Sequence, residues 1–201
     1  MAQIAKEKMA EPTLTTPEIF NPQNLANTAW AFAKLFHRDN ELFTRISQLA
    51  EEQIEDFSVQ NLSNITWAFA KVRHDNFMFF ELTSYHILRL LPEFSTQAAV
   101  NSVWAMAEIS YHHRQVFCQV AEIATKRSDS YKPQDLSNLI WSFAEILHQH
   151  DDLLQSIAKT TCSKIGSLSC QHLACIAWSY AHFFDLKCKE KPGGADVKVN
   201  I

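Results

Sequence analysis

A chain of 201 residues, 47% hydrophobic and 11% aromatic, holds ample material for a buried core and lies far from compositions that stay disordered. It contains three glycines, two of them the adjacent Gly193 and Gly194, which excludes glycine-rich phosphate loops and leaves little for tight β-turns. The 22 acidic against 18 basic residues weigh against tight, non-specific binding to a polyanion, and no apolar run approaches the roughly 20 residues that cross a bilayer.

Residues 1–17 read as an N-terminal segment with a partial capping helix. Glu7 and Glu11, with Glu18 just beyond, set it apart from the acid-poor, arginine-rich presequences of organellar proteins, so no targeting signal is readable. From residue 18 to 186 the chain is predicted to be one domain of five units. Trp30, Trp67, Trp104, Trp141 and Trp178 stand 37 residues apart without an insertion or deletion. One frame recurs around them: QNLANTAWAFAK at 23–34, QNLSNITWAFAK at 60–71, QAAVNSVWAMAE at 97–108, QDLSNLIWSFAE at 134–145 and QHLACIAWSYAH at 171–182. A fixed period in this range marks an all-α solenoid of stacked helix hairpins.

Within each unit a first helix is predicted to start behind Asn21, Ser58, Ser95, Lys132 or Ser169, four of which are good N-caps, with Pro22 and Pro133 at the first helical position. A second helix starts near Asp39-Asn40, Asp75-Asn76, His113 and His150-Asp151, and its apolar residues, such as Leu42, Phe43, Ile46 and Ala50, recur at helical spacing. The fifth unit is expected to lack this second helix. The stretch from Asp185 to Lys191 is short and polar, and residues 187–201, with Pro192, Gly193 and Gly194, read as a flexible tail.

On a helical wheel the second unit places Leu62, Ile65, Phe69 and Val72 on an apolar face, and Gln60, Asn64 and Lys71 in a polar stripe bordered by Trp67. The recurrent tryptophan reads as an anchor wedged between units, with base stacking as the alternative. Alanine three residues after each tryptophan (Ala33, Ala70, Ala107, Ala144, Ala181) reads as a close helix contact. The glutamine seven before the tryptophan in all five units, and Asn27, Asn64, Asn101 and Asn138 three before it, read as a structural ladder of amides bonded from unit to unit or to turn backbone. The alternative is a row of amides facing a ligand.

A ligand is read by positions that differ between units. Asn24, Asn61, Ala98, Asp135 and His172 stand six before the tryptophan, and Lys34, Lys71, Glu108, Glu145 and His182 four after it. Short amides, acids and cations there are candidates to read base edges, and basic residues such as Arg38 and Arg73 to neutralise phosphates. A solvated face with ordinary drift explains the same variation.

The frame resembles the octotricopeptide and heptatricopeptide repeats of organellar RNA-binding proteins, related to those of RAP-domain proteins. It is similar also to the repeat region of subunit six of the kinetoplastid RNA-editing substrate-binding complex. The resemblance implies an α-solenoid that binds single-stranded RNA in a mitochondrion or chloroplast and assists its processing, stability, translation or ribosomal RNA maturation, alone or with other proteins of a complex. The chain departs from the pattern at Cys175, at Ala98-Ala99, and where the usual loop glycine is replaced by Phe36, Arg73, Ser110, Leu147 and Phe184.

No nucleotide-binding, hydrolase or metalloprotease motif is found, so neither an enzyme nor a cofactor is expected. The five cysteines are odd in number with no C-x-x-C pair, and His112-His113 and His148-Gln149-His150 lack matching ligand spacing, so no metal is expected either. His37, His74 and His148 share one repeat position at a helix carboxyl end and read as structural or solvated. The rival to RNA binding is a protein-protein scaffold of armadillo or tetratricopeptide type.

Overall fold

The protein, seen in a computed structural model, is described over residues 1–10, 20–74 and 76–189. These residues form ten α-helices and no strand: α1 (Ala2–Ala10), α2 (Pro22–Lys34), α3 (Asn40–Glu52), α4 (Val59–Val72), α5 (Phe77–Leu90), α6 (Thr96–Glu108), α7 (Arg114–Arg127), α8 (Pro133–Glu145), α9 (Asp151–Ser163) and α10 (Cys170–Lys189). The fold is the all-α solenoid. Each even-numbered helix from α2 onward carries one of the tryptophans, and short 3-10 turns such as Ile54–Asp56 and Leu91–Glu93 lead from a second helix into the next Trp helix.

Local chemistry explains where the helices begin. Asn21 Oδ1, Ser58 Oγ and Ser95 Oγ accept the N–H of Asn24, Asn61 and Ala98 at 2.9, 3.3 and 3.1 Å, satisfying a donor that the helix itself leaves unpaired. Lys132 makes no such bond, and there Pro133 helps start α8 instead. The second helices are capped by Asp39, Asn76, His113 and His150, the two histidines accepting through Nδ1. Asp75, also considered for the α5 start, lies outside the described residues.

Packing sorts the helices into two layers. Consecutive Trp helices lie against one another along their length, while consecutive second helices touch sparsely. A double layer spaced tightly on one side and loosely on the other curves toward the tight side, so the Trp helices line the concave face. Ala33, Ala70, Ala107 and Ala144 are enclosed at the tight seams, and Ala181 is exposed, with no further Trp helix against α10 among the described residues. Between the layers Phe69 stacks on Phe79 at 4.4 Å and meets Phe43 edge-on at 5.1 Å. Phe117 and Phe143 repeat the edge contact two units later. α1 packs on α3, where Lys6 pairs with Asp39 and Glu41 at 3.0 and 2.8 Å.

The turns after the Trp helices keep a tight geometry without glycine. Phe36, Arg73, Ser110 and Leu147 all adopt left-handed backbone, with φ between 52 and 57°. Each donates back into its helix, as Arg73 N–H does to Ala70 O at 2.9 Å, and the following residue closes a wider loop, as His74 N–H does to Phe69 O at 3.0 Å. At the corresponding place in the last unit, Phe184, the chain does not turn: α10 continues to Lys189. The tail expected from residue 187 therefore begins with the end of this helix, and residues 190–201 lie outside the described residues.

Candidate nucleic-acid interface

Positions seven and three before the tryptophan, the tryptophan itself and the fourth residue after it fall within about 60° of one another around a helix. Side by side on the concave layer, the five Trp helices turn these positions into four parallel rows. The outermost row is Gln23, Gln60, Gln97, Gln134 and Gln171, all exposed. Next come Asn27, which is exposed, and Asn64, Asn101 and Asn138, which are partly so. A shallow cavity of about 300 Å³ opens between the second and third units, with Gln60, Asn64, Gln97 and Asn101 in its lining.

The tryptophans form the third row. Ring centroids are 6.4 Å apart from Trp30 to Trp67, and 6.3 Å from Trp67 to Trp104 and from Trp104 to Trp141, with tilts of 30 to 38°. Trp30 and Trp178 are 41% and 44% exposed, and the inner three are partly buried. The indoles are thus neither sealed wedges nor free platforms. Trp30, Trp67, Trp104 and Trp141 each meet a neighbouring indole while part of the ring stays accessible.

Cations lie on this row. Lys34 Nζ sits over both Trp30 and Trp67, 5.2 and 5.6 Å from the ring centres, and Lys71 Nζ meets Trp104 of the next unit at 5.8 Å and Phe36 of the preceding one at 4.9 Å. His182 stacks on Trp178 at 5.0 Å with only 11° between the planes. In the third unit the same column holds Glu108, paired with Arg73 at 3.2 Å, and in the fourth Glu145, which is exposed. Arg38 is exposed in the turn after α2. The row is therefore cationic over the first two units and acidic over the next two.

One expectation is corrected. The asparagines do not form a ladder. Among the described residues the side chains of Asn27, Asn64 and Asn101 make no hydrogen bond to protein, and Asn138 accepts from Gln134 on its own helix at 2.8 Å. The polar contacts that cross between the last Trp helices come from other groups, His172 to Gln134 at 3.2 Å and Cys175 Sγ to Ser137 O at 3.5 Å. The asparagines face the groove because their side of the helix is the one no neighbour covers.

The column six before the tryptophan lies apart from these four rows. Its residues occupy the third position of each Trp helix, 60 to 120° round from the rows. His172 both donates its N–H to Ser169 Oγ at 3.2 Å and accepts the Ser169 N–H through Nδ1 at 3.3 Å, the reciprocal bonds of a capping box. Asp135 is 8% exposed, and burial pushes its carboxyl above the usual range against the hydrogen bond from the Lys132 backbone. Asn24 remains exposed and Asn61 partly buried, both at helix starts.

The structure also assembles groups that the sequence separates. His112 Nε2 lies 2.9 Å from His148 Nδ1, and Cys118 Sγ 3.6 Å from His148 Nε2. Both nitrogens of His148 are engaged in different directions, so the three side chains do not converge on one centre, and among the described residues no cluster could hold a metal ion. Burial, with His112 beside it, holds the His148 imidazole down to about 4. On the convex side α5 departs from its counterparts: Phe77 and Met78, 65% and 69% exposed, stand where α3 has Asn40-Glu41 and α9 has Asp151-Asp152. Comparing units position by position would have found this; the crossing of lysines to the next unit's indole had no sequence signal.

A comparison with curated proteins found no match. A family model described as RNA-editing substrate-binding complex 6 protein matches residues 3–188, nearly the whole of the described chain. The chain belongs to the RNA-editing substrate-binding complex 6 protein family.

Proposed function

We propose that the concave face binds single-stranded RNA, and that the chain serves in an RNA-editing or related RNA-processing assembly, in a mitochondrion, by holding RNA rather than by catalysing a reaction. The observation that carries this reading is the juxtaposition of the Asn27, Asn64 and Asn101 amides, which have no protein partner among the described residues, and a row of part-exposed indoles. Amides offer both donors and acceptors to backbone and base edges, and every base presents a face that stacks on an aromatic ring. Lys34 and Lys71 supply phosphate contacts at one end of the groove. A duplex cannot lay unstacked bases on a row of rings, so single strands are preferred. Family membership supports an RNA-editing role, and the mitochondrion follows from where editing complexes of this kind act.

The test is fluorescence anisotropy with matched single-stranded and duplex RNA at increasing salt. Tighter binding of the single strand, weakening as salt rises, is expected. Equal or absent binding at low salt would favour the second reading, a protein-protein scaffold. That reading has its own observation in the exposed Phe77 and Met78, and it is compatible with RNA on the opposite face.

A further inference from the structure

At the seam between the second and third units a cavity of about 240 Å³ is lined by Arg73, Glu108, Ile109 and Ser110. Arg73 ends α4 in left-handed backbone, φ 55° and ψ 43°, a conformation that glycine takes without strain and arginine does not. Its main chain is pinned by two hydrogen bonds back into α4. The guanidinium crosses to the next unit, where Nη2 donates to Glu108 Oε1 at 3.2 Å. Glu108 stands one helical turn beyond Trp104 on α6, so the pair lies beside the indole row at this seam.

Only one arm of the guanidinium and one carboxylate oxygen are used in this contact. Arginine presents five N–H donors in a planar fork, and an ionised carboxylate accepts through both oxygens. The cavity therefore shows a fork of donors beside a pair of acceptors, over the apolar side chain of Ile109. The positional equivalents are different. Phe36 meets Lys71 at the first seam, and Ser110 with Glu145 and Leu147 with His182 hold the same places further on. Of these turn positions among the described residues, Arg73 and Glu108 form the guanidinium-carboxylate pair; the other such pair, Arg89 with Glu55, joins the layer of second helices instead.

We propose that Arg73 and Glu108 form a subsite for one guanine base of the bound strand. Guanine carries two adjacent acceptors, O6 and N7, that match the arginine fork. Its N1–H and N2–H donors match the carboxylate. Adenine and cytosine each offer the fork a poorer set, and uracil has no exocyclic amine for Glu108. The ring face rests on Ile109, and the Ser110 hydroxyl donates or accepts as the base requires. This inference rests on the RNA reading above and adds to it a base preference at one named seam.

The experiment compares the full chain's binding of oligouridine, the same oligomer with one central guanosine, and the same with one central adenosine, by anisotropy at fixed salt. The guanosine oligomer should bind about tenfold tighter than the other two, the discrimination of one good bidentate base contact. In Arg73→Lys, which keeps the charge but loses the fork, and in Glu108→Gln, the ratio between oligomers should collapse toward one. Binding of all three oligomers with equal affinity by the unaltered chain would overturn the guanine subsite and leave the RNA reading standing. Full guanosine preference in Arg73→Lys would also overturn it, since charge alone would then suffice. Failure of every oligomer to bind would overturn both.

Discussion

Trp67 and Trp104, 37 residues apart in the chain, hold their indoles 6.3 Å apart at a tilt of 30°. Each ring is thus a wall for the next, and each also reaches the groove. Trp104→Ala should remove contacts to both neighbours at once. We expect a loss of about 2–4 kcal/mol in denaturant melting, toward the lower side of large core deletions because the ring is only partly buried. Affinity for single-stranded RNA should fall by about 1–3 kcal/mol, the worth of one stacked base. A variant that melts normally and binds normally would show that this indole serves neither role.

Among the described residues the Asn64 side chain has no hydrogen-bond partner, and it lines the cavity of the concave groove. Asn64→Ala should therefore change stability by less than about 0.5 kcal/mol. Its effect should appear in RNA affinity, and combining it with Asn101→Ala should deepen the loss. Destabilisation of 1 kcal/mol or more would mean that the amide is structural after all, which a thermal melt decides directly.

His148 is held near 4 by burial, with His112, His150 and Arg114 adding positive charge around it. The unfolded imidazole titrates near its ordinary 6.5. Between those values the unfolded chain binds more protons, so this contribution is full above about 6.5 and is lost as pH falls toward about 4. We expect about 1–2 kcal/mol from this group, less than the whole shift implies because the ring is partly solvated. His148→Phe should flatten the stability-pH curve in that window; an unchanged slope would assign the acid sensitivity elsewhere.

Leu147 is half-exposed at φ 57° in a turn that a residue without a Cβ adopts freely. Leu147→Gly should raise stability by about 0.5–1 kcal/mol by relieving the left-handed strain, net of the extra freedom glycine has when unfolded. A fall in melting temperature would show that the leucine side chain contributes more at the seam than its backbone costs.

The architecture was legible in the sequence because two strong signals coincide, an aromatic at a constant interval and capping residues at a constant offset before it. Pro22, Ser58 and Ser95 announce helix starts that the structure realises. The division of polar positions was harder. Asn64 recurs like a structural residue yet faces the groove, whereas Asp135 varies like a ligand contact yet is buried at a helix start. Recurrence within a repeat does not say whether a position serves the fold or a repeated contact with a polymer. The wheel angle does, once it is known which side of the Trp helix stays uncovered. Contacts such as Lys71 with Trp104 depend on the lateral offset between units, which one unit's sequence does not encode.

The unequal spacing of the two helix layers gives the array directional elasticity. Bending that opens or closes the convex side alters only the sparse contacts between second helices. The Trp helices, jammed together at alanine seams, act as the neutral line of a leaf spring, so the pitch of about 6.3 Å between indoles survives such flexing. On the proposed RNA reading, the array would change curvature around a strand while the spacing of the indoles along its inner surface stays constant.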